Sequence, residues 1–158
     1  MKIVVMSDTH LSHVTDEFDA ICSRYCSDAD LVLHLGDMAR GVILDYLEQY
    51  RLEAVCGNMD DHMIQSRLPI KKTIRAKGFR IGMAHGWGSG HGMRSRLRDE
   101  LPGANVILFG HTHKPLQLEE DGILWFNPGS VFTGRGNLPR SLGILHVDDS
   151  IQSEIIAL

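Results

Sequence analysis

Residues 2–10 read KIVVMSDTH, an apolar and mostly β-branched run that gives way at once to polar side chains. An apolar run without alternation predicts a strand that is buried on both faces. Four more runs of this kind follow, at 31–35, 52–56, 80–84 and 106–109, and segments of helical period lie at 16–27, 41–50 and 90–101. The alternation of strands and helices predicts an α/β fold with a largely parallel sheet.

The last third of the chain has a different pattern, in which strand-like runs are joined by short turns. Residues 116–119 and 123–126 flank Glu120-Asp121-Gly122, and an Asp-Gly pair between two strand-like runs is a strong hairpin signal. A second hairpin is predicted from residues 141–147 and 151–156. We expect these antiparallel strands to form a second sheet packed on the first, within a single domain over residues 1–158.

Each of the first five strand-like runs ends in residue types that bind metals. Because ligands bind at the carboxyl ends of strands in α/β sheets, we expect these loops to converge. Any one of the motifs could instead be a helix cap, a turn or a hydrogen-bonded polar group. All five together favour a shared site, whose candidate ligands are Asp8, His10, Asp37, Asn58, His85, His111 and His113.

The candidate donors are four imidazoles, two carboxylates and one amide carbonyl, with no thiolate. Seven donors exceed one tetrahedral site and suit two metals that share a bridging carboxylate. Mixed imidazole and carboxylate ligation favours Mn²⁺, Fe²⁺, Co²⁺, Ni²⁺ or Zn²⁺ over Ca²⁺ or Mg²⁺. We expect two divalent ions per chain, with Mn²⁺ as the first candidate.

The composition narrows the function classes. Sixteen basic and twenty acidic residues give a net charge of −4, which argues against stable nucleic-acid binding. The first apolar run is too short for a signal peptide or a membrane span, so we expect a cytoplasmic protein without membrane contact. Cys22, Cys26 and Cys56 make an odd count without zinc-type spacing, which predicts buried thiols in a reducing compartment.

The ordered series Asp8-x-His10, Gly36-Asp37, Gly57-Asn58-x-Asp60, His85-Gly86 and Gly110-His111-x-His113 resembles the calcineurin-like metallophosphoesterase superfamily. The short chain and Asn127-Pro128-Gly129-Ser130 are similar to its small phosphodiesterases of the YfcE type. The resemblance implies a two-sheet αββα sandwich, of mixed sheets with C-terminal antiparallel hairpins. It also implies one metal on Asp8, His10 and His113, a second on Asn58, His85 and His111, and Asp37 bridging them.

The resemblance further implies hydrolysis of a phosphodiester by a hydroxide that bridges two metals. Asp37, Asn58 and Asp60 are then the expected catalytic residues, with Asp60 orienting a ligand or a loop. Many superfamily members carry a histidine that protonates the leaving group, but this chain has Met59 there. Since a thioether donates no proton, we expect a preference for good leaving groups, unless His62 substitutes.

The expected substrate is a small-molecule or nucleotide phosphodiester, and relatives suggest a homodimer or homotetramer. The alternative is a metal-binding interaction module with little or no catalysis, of the retromer-subunit type. The complete ligand set favours the enzyme.

Several residues remain outside the predicted ligand set. We expect His34 and His146 to be packed and hydrogen-bonded, and His13 and His91 to lie in loops near the site, where contact with phosphate is the less favoured role. Asn127 and Ser130 could line the substrate edge or shape a turn. We predict a solvated helix face from three arginines, for which substrate contact is the less favoured role: Arg94, Arg96 and Arg98.

Overall fold

Two five-stranded sheets form the centre of the structure, a computed structural model that describes residues 1–132 and 138–158. The strands are β1 (Lys2–Met6), β2 (Leu31–His34), β3 (Leu52–Ala54), β4 (Lys71–Ala76), β5 (Phe79–Ala84), β6 (Val106–Phe109), β7 (Leu116–Glu120), β8 (Ile123–Asn127), β9 (Ser141–Val147) and β10 (Ile151–Ala157). The helices are α1 (Asp16–Tyr25), α2 (Gly41–Leu47), α3 (His62–Arg67) and α4 (Met93–Glu100).

Both sheets are mixed. The first has the order β10-β9-β1-β2-β3, in which β1, β2 and β3 are parallel and β9 runs antiparallel to β1. The second has the order β4-β5-β6-β8-β7, in which β5, β6 and β8 are parallel and the two edge strands are antiparallel. The predicted mixed α/β class is therefore confirmed.

The distribution of strands between the sheets differs from the prediction. We expected the two hairpins to form a sheet of their own, but β7 and β8 join the second sheet, whereas β9 and β10 extend the first. The parallel strands are correspondingly split between the two sheets. The β9–β10 hairpin thus extends one edge of the parallel strands β1–β3, whereas β8 is itself parallel to β6 and only β7 adds an antiparallel edge.

Three apolar clusters explain why the strands lack alternation. Along β1, Val4 and Met6 face α1 and α2 in one cluster, while Ile3 and Val5 face the second sheet in another. The third cluster packs α4, through Met93 and its neighbours, on the outer face of the second sheet. Helices thus cover both outer faces, which is the expected αββα layering, and the central strands are apolar on both sides.

Two elements were not predicted. Helix α3 has six residues, too few to show a helical period, although Asp61 caps it by accepting a hydrogen bond from Ile64 N at 3.1 Å. Strand β4 carries charged side chains on its exposed face and turns into β5 through Lys77 and Gly78, both at positive φ. Within the described residues, no helix has the length and apolar character needed to cross a membrane.

Candidate metal centre

The loops after β1, β2, β3, β5 and β6 meet at one edge of the two sheets. Asp8 N donates to the Gly36 carbonyl at 3.1 Å, and Gly110 N donates to the His85 carbonyl at 3.0 Å. The His85 ring links the two sheets, because its Nδ1 lies 2.8 Å from the Leu35 carbonyl. The edge brings together all seven predicted ligands: Asp8, His10, Asp37, Asn58, His85, His111 and His113.

One group of donors consists of Asp8, His10 and His113. Asp8 Oδ1 lies 3.0 Å from His113 Nε2 and 3.7 Å from His10 Nε2. The two imidazole nitrogens are 3.3 Å apart. This is the trio that the superfamily pattern implies for one metal, and a cation could contact all three atoms, which lie within 4.8 Å of one another.

A second group surrounds Asp37. Its Oδ2 lies 3.2 Å from His85 Nε2 and 3.7 Å from His10 Nε2, so it stands between the two halves of the site. The rings of His85 and His111 meet edge to face at 5.2 Å, and His111 Nδ1 is 3.0 Å from Asn58 Oδ1. The position of Asp37 therefore suits a bridging ligand. Asp8 Oδ1 also comes within 4.0 Å of His85 Nε2, so the halves are tightly joined.

Each carboxylate has one oxygen held by donors and one turned to the site. Asp8 Oδ2 accepts from Ser7 Oγ at 2.7 Å and from His111 N at 3.0 Å. Asp37 Oδ1 accepts from Met59 N at 2.7 Å. Asp8 Oδ1 is buried and has no hydrogen-bond partner among the described residues. The donors thus orient the carboxylates without using the oxygens that face the imidazoles.

Backbone carbonyls determine which imidazole nitrogens present lone pairs. His85 Nδ1 faces the Leu35 carbonyl, and His111 Nε2 faces the Gly88 carbonyl at 3.1 Å. A carbonyl only accepts, so these nitrogens carry the protons of the neutral rings. His85 Nε2 then presents a lone pair to Asp37, and His111 Nδ1 presents one to Asn58 Oδ1.

Acceptors that face acceptors in a buried site require a positive charge between them. Among the described residues His85 Nε2, like Asp8 Oδ1, is buried without a hydrogen-bond partner, and a lost partner costs several kcal/mol in such a place. Imidazole, carboxylate and amide oxygen together are the donors that divalent transition metals accept. The residues present therefore fit divalent metal ions.

The pKa shifts show the same demand for positive charge. Burial alone would raise the pKa of Asp8, but the facing imidazoles of His10 and His113, 3.7 and 3.0 Å away, outweigh burial and hold it well below its usual range. Burial would lower the pKa of His85, but the carboxylate of Asp37, 3.2 Å from its Nε2, and the charge of Asp8 outweigh burial and raise that pKa. Both shifts reflect the close approach of imidazoles and carboxylates in this site.

The backbone is strained at the ligands. Positive φ angles between 51° and 66° occur at Asp8, His10, Asp37, His111 and His113. The left-handed region costs a residue with a side chain about 1–2 kcal/mol. Five of the seven candidate ligands thus adopt a costly conformation, which the packing of the loops imposes and which turns their side chains toward one point.

Asp60 lies behind the ligands, as the orienting role requires. Its Oδ2 accepts from Gly57 N at 2.7 Å and from Asp37 N at 3.1 Å, and its Oδ1 accepts from Ala39 N at 2.8 Å. Burial raises its pKa despite these bonds. Asp60 ties the loop after β3 to the loop after β2, so we assign it as a positioning residue for Asp37 and Asn58.

Asn127 and Ser130 brace the ligand loops. Asn127 Nδ2 donates to the Gly110 carbonyl at 2.9 Å, and its Oδ1 accepts from Gly129 N at 2.9 Å. Ser130 Oγ donates to the Asp8 carbonyl at 2.8 Å. Both side chains are fully buried, so of the two roles left open by the sequence, the structure favours the shaping of a turn.

Four of the remaining histidines are exposed: His13, His62, His91 and His146. His62 begins α3, and it is exposed, as are His13 and His91. His146 was expected to be packed and hydrogen-bonded; that expectation was wrong, because its side chain is 54% exposed on β9, with Nε2 3.9 Å from Glu154 Oε1. His146 lies on the same face of β9 as Ile144 of the first cluster, but its neighbours across the sheet are Lys2 and Gln152, so it lies at the polar end of that face.

The arginines of α4 only partly form a solvated face. Arg94 pairs with Glu120 at 3.2 Å and Arg98 pairs with Asp121 at 3.0 Å, and both guanidinium groups lie over the ring of Trp125. Arg96 instead turns to the loop after β5, where it binds backbone carbonyls.

His34 is fully buried beneath the site, as predicted for a packed, hydrogen-bonded histidine. Its Nε2 lies 2.8 Å from Thr9 Oγ1 and its Nδ1 accepts from Gly36 N at 3.2 Å. Burial lowers its pKa to about 3, against the opposing charge of Asp8. The remaining charges that act on it are those of His85, Asp37 and His10.

A buried neutral histidine makes stability depend on pH. The folded pKa of about 3 lies below the unfolded value of 6.5, so the stabilisation is complete above pH 6.5 and is lost as the pH falls toward 3. We expect His34→Gln to reduce the pH dependence of the unfolding free energy between pH 6.5 and 4 by up to about 1.4 kcal/mol per pH unit. Denaturant titrations of both proteins measure this difference. Equal slopes would show that His34 does not contribute.

Comparison with known proteins agrees with the geometry. The sequence profile described as the calcineurin-like phosphoesterase superfamily domain matches residues 1–150. A probable metallophosphoesterase of Methanothermobacter thermautotrophicus is 35% identical over 161 residues, which cover 99% of this chain and 92% of the relative.

Two solved structures illustrate the range of the fold. The phosphoesterase YfcE of Escherichia coli has a TM-score of 0.72 at 25% identity, with 99% of each chain covered. Vps29 of Entamoeba histolytica, in a complex with Zn²⁺, has a TM-score of 0.76 at 22% identity, also with 99% of each chain covered, and this likeness shows the fold alone.

The profile match spans nearly the whole chain, and the Methanothermobacter relative aligns over almost its full length. Both agree with a fold of two mixed sheets between helices, at one edge of which lie groups of side chains that could hold a metal ion. The chain belongs to the calcineurin-like phosphoesterase superfamily.

Proposed function

We propose that this protein is a metal-dependent phosphodiesterase that hydrolyses a small-molecule or nucleotide phosphodiester at the edge where the seven candidate ligands meet. The observation that carries the proposal is the completeness of the ligand set, with seven donors from five loops placed around two adjoining positions. The expected cofactors are two divalent ions, with Mn²⁺ first and Ni²⁺, Co²⁺, Fe²⁺ or Zn²⁺ as alternatives.

When bound, such ions activate water and neutralise the negative charge of phosphate oxygens. The chain itself holds the ligands in position. Asp37 Oδ2 stands between the two halves and Asn58 offers an amide oxygen. Backbone carbonyls fix the tautomers of His85 and His111. Because these groups are oriented before any substrate arrives, little reorganisation remains to be done during the reaction.

The serines near the site are poorly placed as nucleophiles. Ser7 is buried and donates its hydroxyl to Asp8, and Ser130 is buried and donates to the Asp8 carbonyl. An attacking serine needs a base that accepts its proton and a free path to phosphorus. Both hydroxyls instead serve to hold Asp8, which agrees with water as the nucleophile.

The charge of the site favours an anionic substrate. Asp8 and Asp37 contribute two negative charges, and two divalent ions would contribute four positive ones. The net charge of −4 for the whole chain therefore understates how positive the loaded cleft is.

The test is hydrolysis of bis(p-nitrophenyl) phosphate and of p-nitrophenyl phosphate by metal-free protein refilled with Mn²⁺ or Ni²⁺. We expect hydrolysis that requires metal and is faster for the diester. If the protein binds metal but hydrolyses neither ester with any metal, the proposal is wrong. That result would favour the alternative, an interaction module, which the fold shared with Vps29 also accommodates.

Met59 determines which leaving groups we expect the enzyme to handle. Its amide N–H binds Asp37, and its side chain is 59% exposed at the rim of the site. A general acid normally raises the reaction rate about 10²–10⁴-fold, and a thioether gives no such increase because it donates no proton. We therefore expect aryl diesters to react much faster than alkyl diesters, and Met59→His to raise the alkyl rate by about 10²-fold with a far smaller gain for aryl esters.

Steady-state rates on matched aryl and alkyl methylphosphate diesters measure this effect. His62→Ala serves as the comparison, since His62 lies on the first turn of α3 and is exposed. If His62→Ala removes alkyl activity from the wild-type background, His62 is the proton donor and the argument from Met59 is wrong.

A further inference from the structure

A cleft of about 580 Å³ opens beside the Asn58 and His85 half of the site. Ligand-binding pockets commonly have volumes of this order. Apart from the two predicted ligands, its walls include Trp87 from the loop after β5 and Ile70 from the segment before β4. An ester group on a phosphate held at the site would extend into this cleft.

The walls of the cleft expose large apolar side chains. Trp87 is 44% exposed and Ile70 is 73% exposed, whereas the other tryptophan, Trp125, is fully buried in the cluster under α4. Exposing apolar surface to water is unfavourable in proportion to its area. Large apolar side chains left exposed beside a binding centre commonly indicate a binding surface.

Arg96 holds the loop that carries Trp87. Its guanidinium donates to the carbonyls of Trp87 at 2.8 Å, Ser89 at 3.0 Å and His91 at 3.3 Å. The carbonyl of the intervening Gly88 faces His111 Nε2. Four carbonyls of this short loop are therefore fixed by groups outside it, so the position of Trp87 is set without a ligand, and binding need not order the loop.

The rest of the cleft carries little net charge. Lys71 and Glu100, which also line it, form an ion pair with each other. A second phosphate would find no unpaired cation among these two side chains, whereas an uncharged planar group would find the indole of Trp87. Stacking of a nucleobase on such a side chain stabilises binding by about 1–3 kcal/mol.

We propose that this cleft is the subsite for one ester group of the diester, and that it selects a planar aromatic group, a nucleobase or an aryl ring, which lies against Trp87. The proposal rests on the proposed function, since the phosphate is placed by the metal ligands. Trp87 is the specificity-determining residue, and Arg96 is the positioning residue that presents it.

Binding of phosphate monoesters to Mn²⁺-loaded protein tests the subsite separately from diester hydrolysis. Adenosine 5′-monophosphate, phenyl phosphate and methyl phosphate share the phosphate and differ in the organic group, and calorimetry gives each dissociation constant. We expect at least one aromatic ester to bind roughly 5- to 100-fold more tightly than methyl phosphate. The adenosine and phenyl arms distinguish a nucleobase site from a general aryl site.

Variants assign the preference to residues. Trp87→Ala should bring the ratio of aromatic to methyl affinity close to one, and Trp87→Phe should keep part of it. Arg96→Gln should also lower the ratio, because the loop loses its donor. The matched control is Arg98→Gln, two residues further along α4, where the guanidinium pairs with Asp121 and should not affect the ratio.

Tryptophan fluorescence gives a second readout. Because Trp125 is fully buried, quenching by adenosine 5′-monophosphate should come from Trp87 and should vanish in Trp87→Phe. Equal affinity for methyl phosphate and both aromatic esters, or a preference that survives Trp87→Ala in a protein with unchanged circular dichroism, would overturn the subsite. If the aromatic preference holds but no diester is hydrolysed with any metal, the subsite stands and the phosphodiesterase proposal fails.

Discussion

Replacing Asp37 with alanine should lower the turnover of bis(p-nitrophenyl) phosphate by at least about 10³-fold and reduce the metal content of the protein. The reason is the place of its Oδ2, 3.2 Å from His85 and 3.7 Å from His10, where it is the carboxylate that joins the two halves of the site. Without it, His85 Nε2 loses its facing anion, and the two proposed metal positions lose the ligand that we propose they share.

Asp37→Asn separates ligation from local folding. The amide oxygen can still accept from Met59 N, which now donates to Asp37 Oδ1, so the loop after β3 keeps its anchor. A loss of metal and activity in Asp37→Asn as large as in Asp37→Ala would show that the charge on Oδ2 is what matters. Metal content is measured by inductively coupled plasma mass spectrometry on dialysed protein.

The matched control is Asp45→Asn. Asp45 lies on α2, half exposed, and pairs with Arg67 at 2.6 Å, an exposed ion pair that contributes little to stability. This variant should keep its metals and its turnover. Full activity in Asp37→Ala would contradict the assignment of the bridging carboxylate and, with it, the two-metal hydrolase.

The convergence of the candidate ligands could be predicted because metal sites use particular side chains at the ends of strands. Asp8, Asp37 and His85 follow apolar runs directly, and parallel strands bring such positions to one edge. The groups that orient these side chains could not be predicted. The carbonyls of Leu35 and Gly88, which fix the tautomers of two histidines, have no signature in the amino-acid sequence.

Long-range pairing explains the errors in the fold. The runs that form β5 and β6 look like β1 and β2 in the sequence, yet they belong to the other sheet, because strand partners are chosen by packing between distant segments. Strand β4 was missed since its outward face carries Lys71, Thr73 and Arg75. Its two-residue turn at Lys77 and Gly78 was the available signal, as both residues adopt the positive φ that tight hairpins need.

Gly110→Ala should damage the site through a single methyl group. A Cβ at Gly110 would overlap Ser7 Oγ and would lie 2.7 Å from Asp8 Oδ2 and 3.0 Å from Ser7 Cβ. The glycine cannot retreat easily, since its N–H binds the His85 carbonyl and its own carbonyl accepts from Asn127. Ser7 and Asp8 are therefore the groups that must move.

We expect Gly110→Ala to lower the unfolding free energy by about 1–3 kcal/mol, the usual cost of overpacking. Turnover should fall by at least about 10²-fold, since displacements of about 1 Å at a catalytic centre have effects of that size. Metal content should fall as well, because Asp8 Oδ2 is pushed from the donors that aim Oδ1 at His113 and His10.

The control for Gly110→Ala is Gly122→Ala in the turn between β7 and β8. No atom lies within 4 Å of a Cβ built there, but φ is +73°, so an alanine costs about 1–2 kcal/mol of backbone strain without touching the site. The two variants can therefore lose similar stability, and only Gly110→Ala should lose metal and turnover. Equal metal content and turnover in both would mean that the loop after β6 yields to the methyl group, and that close packing against Ser7 does not hold Asp8 in place.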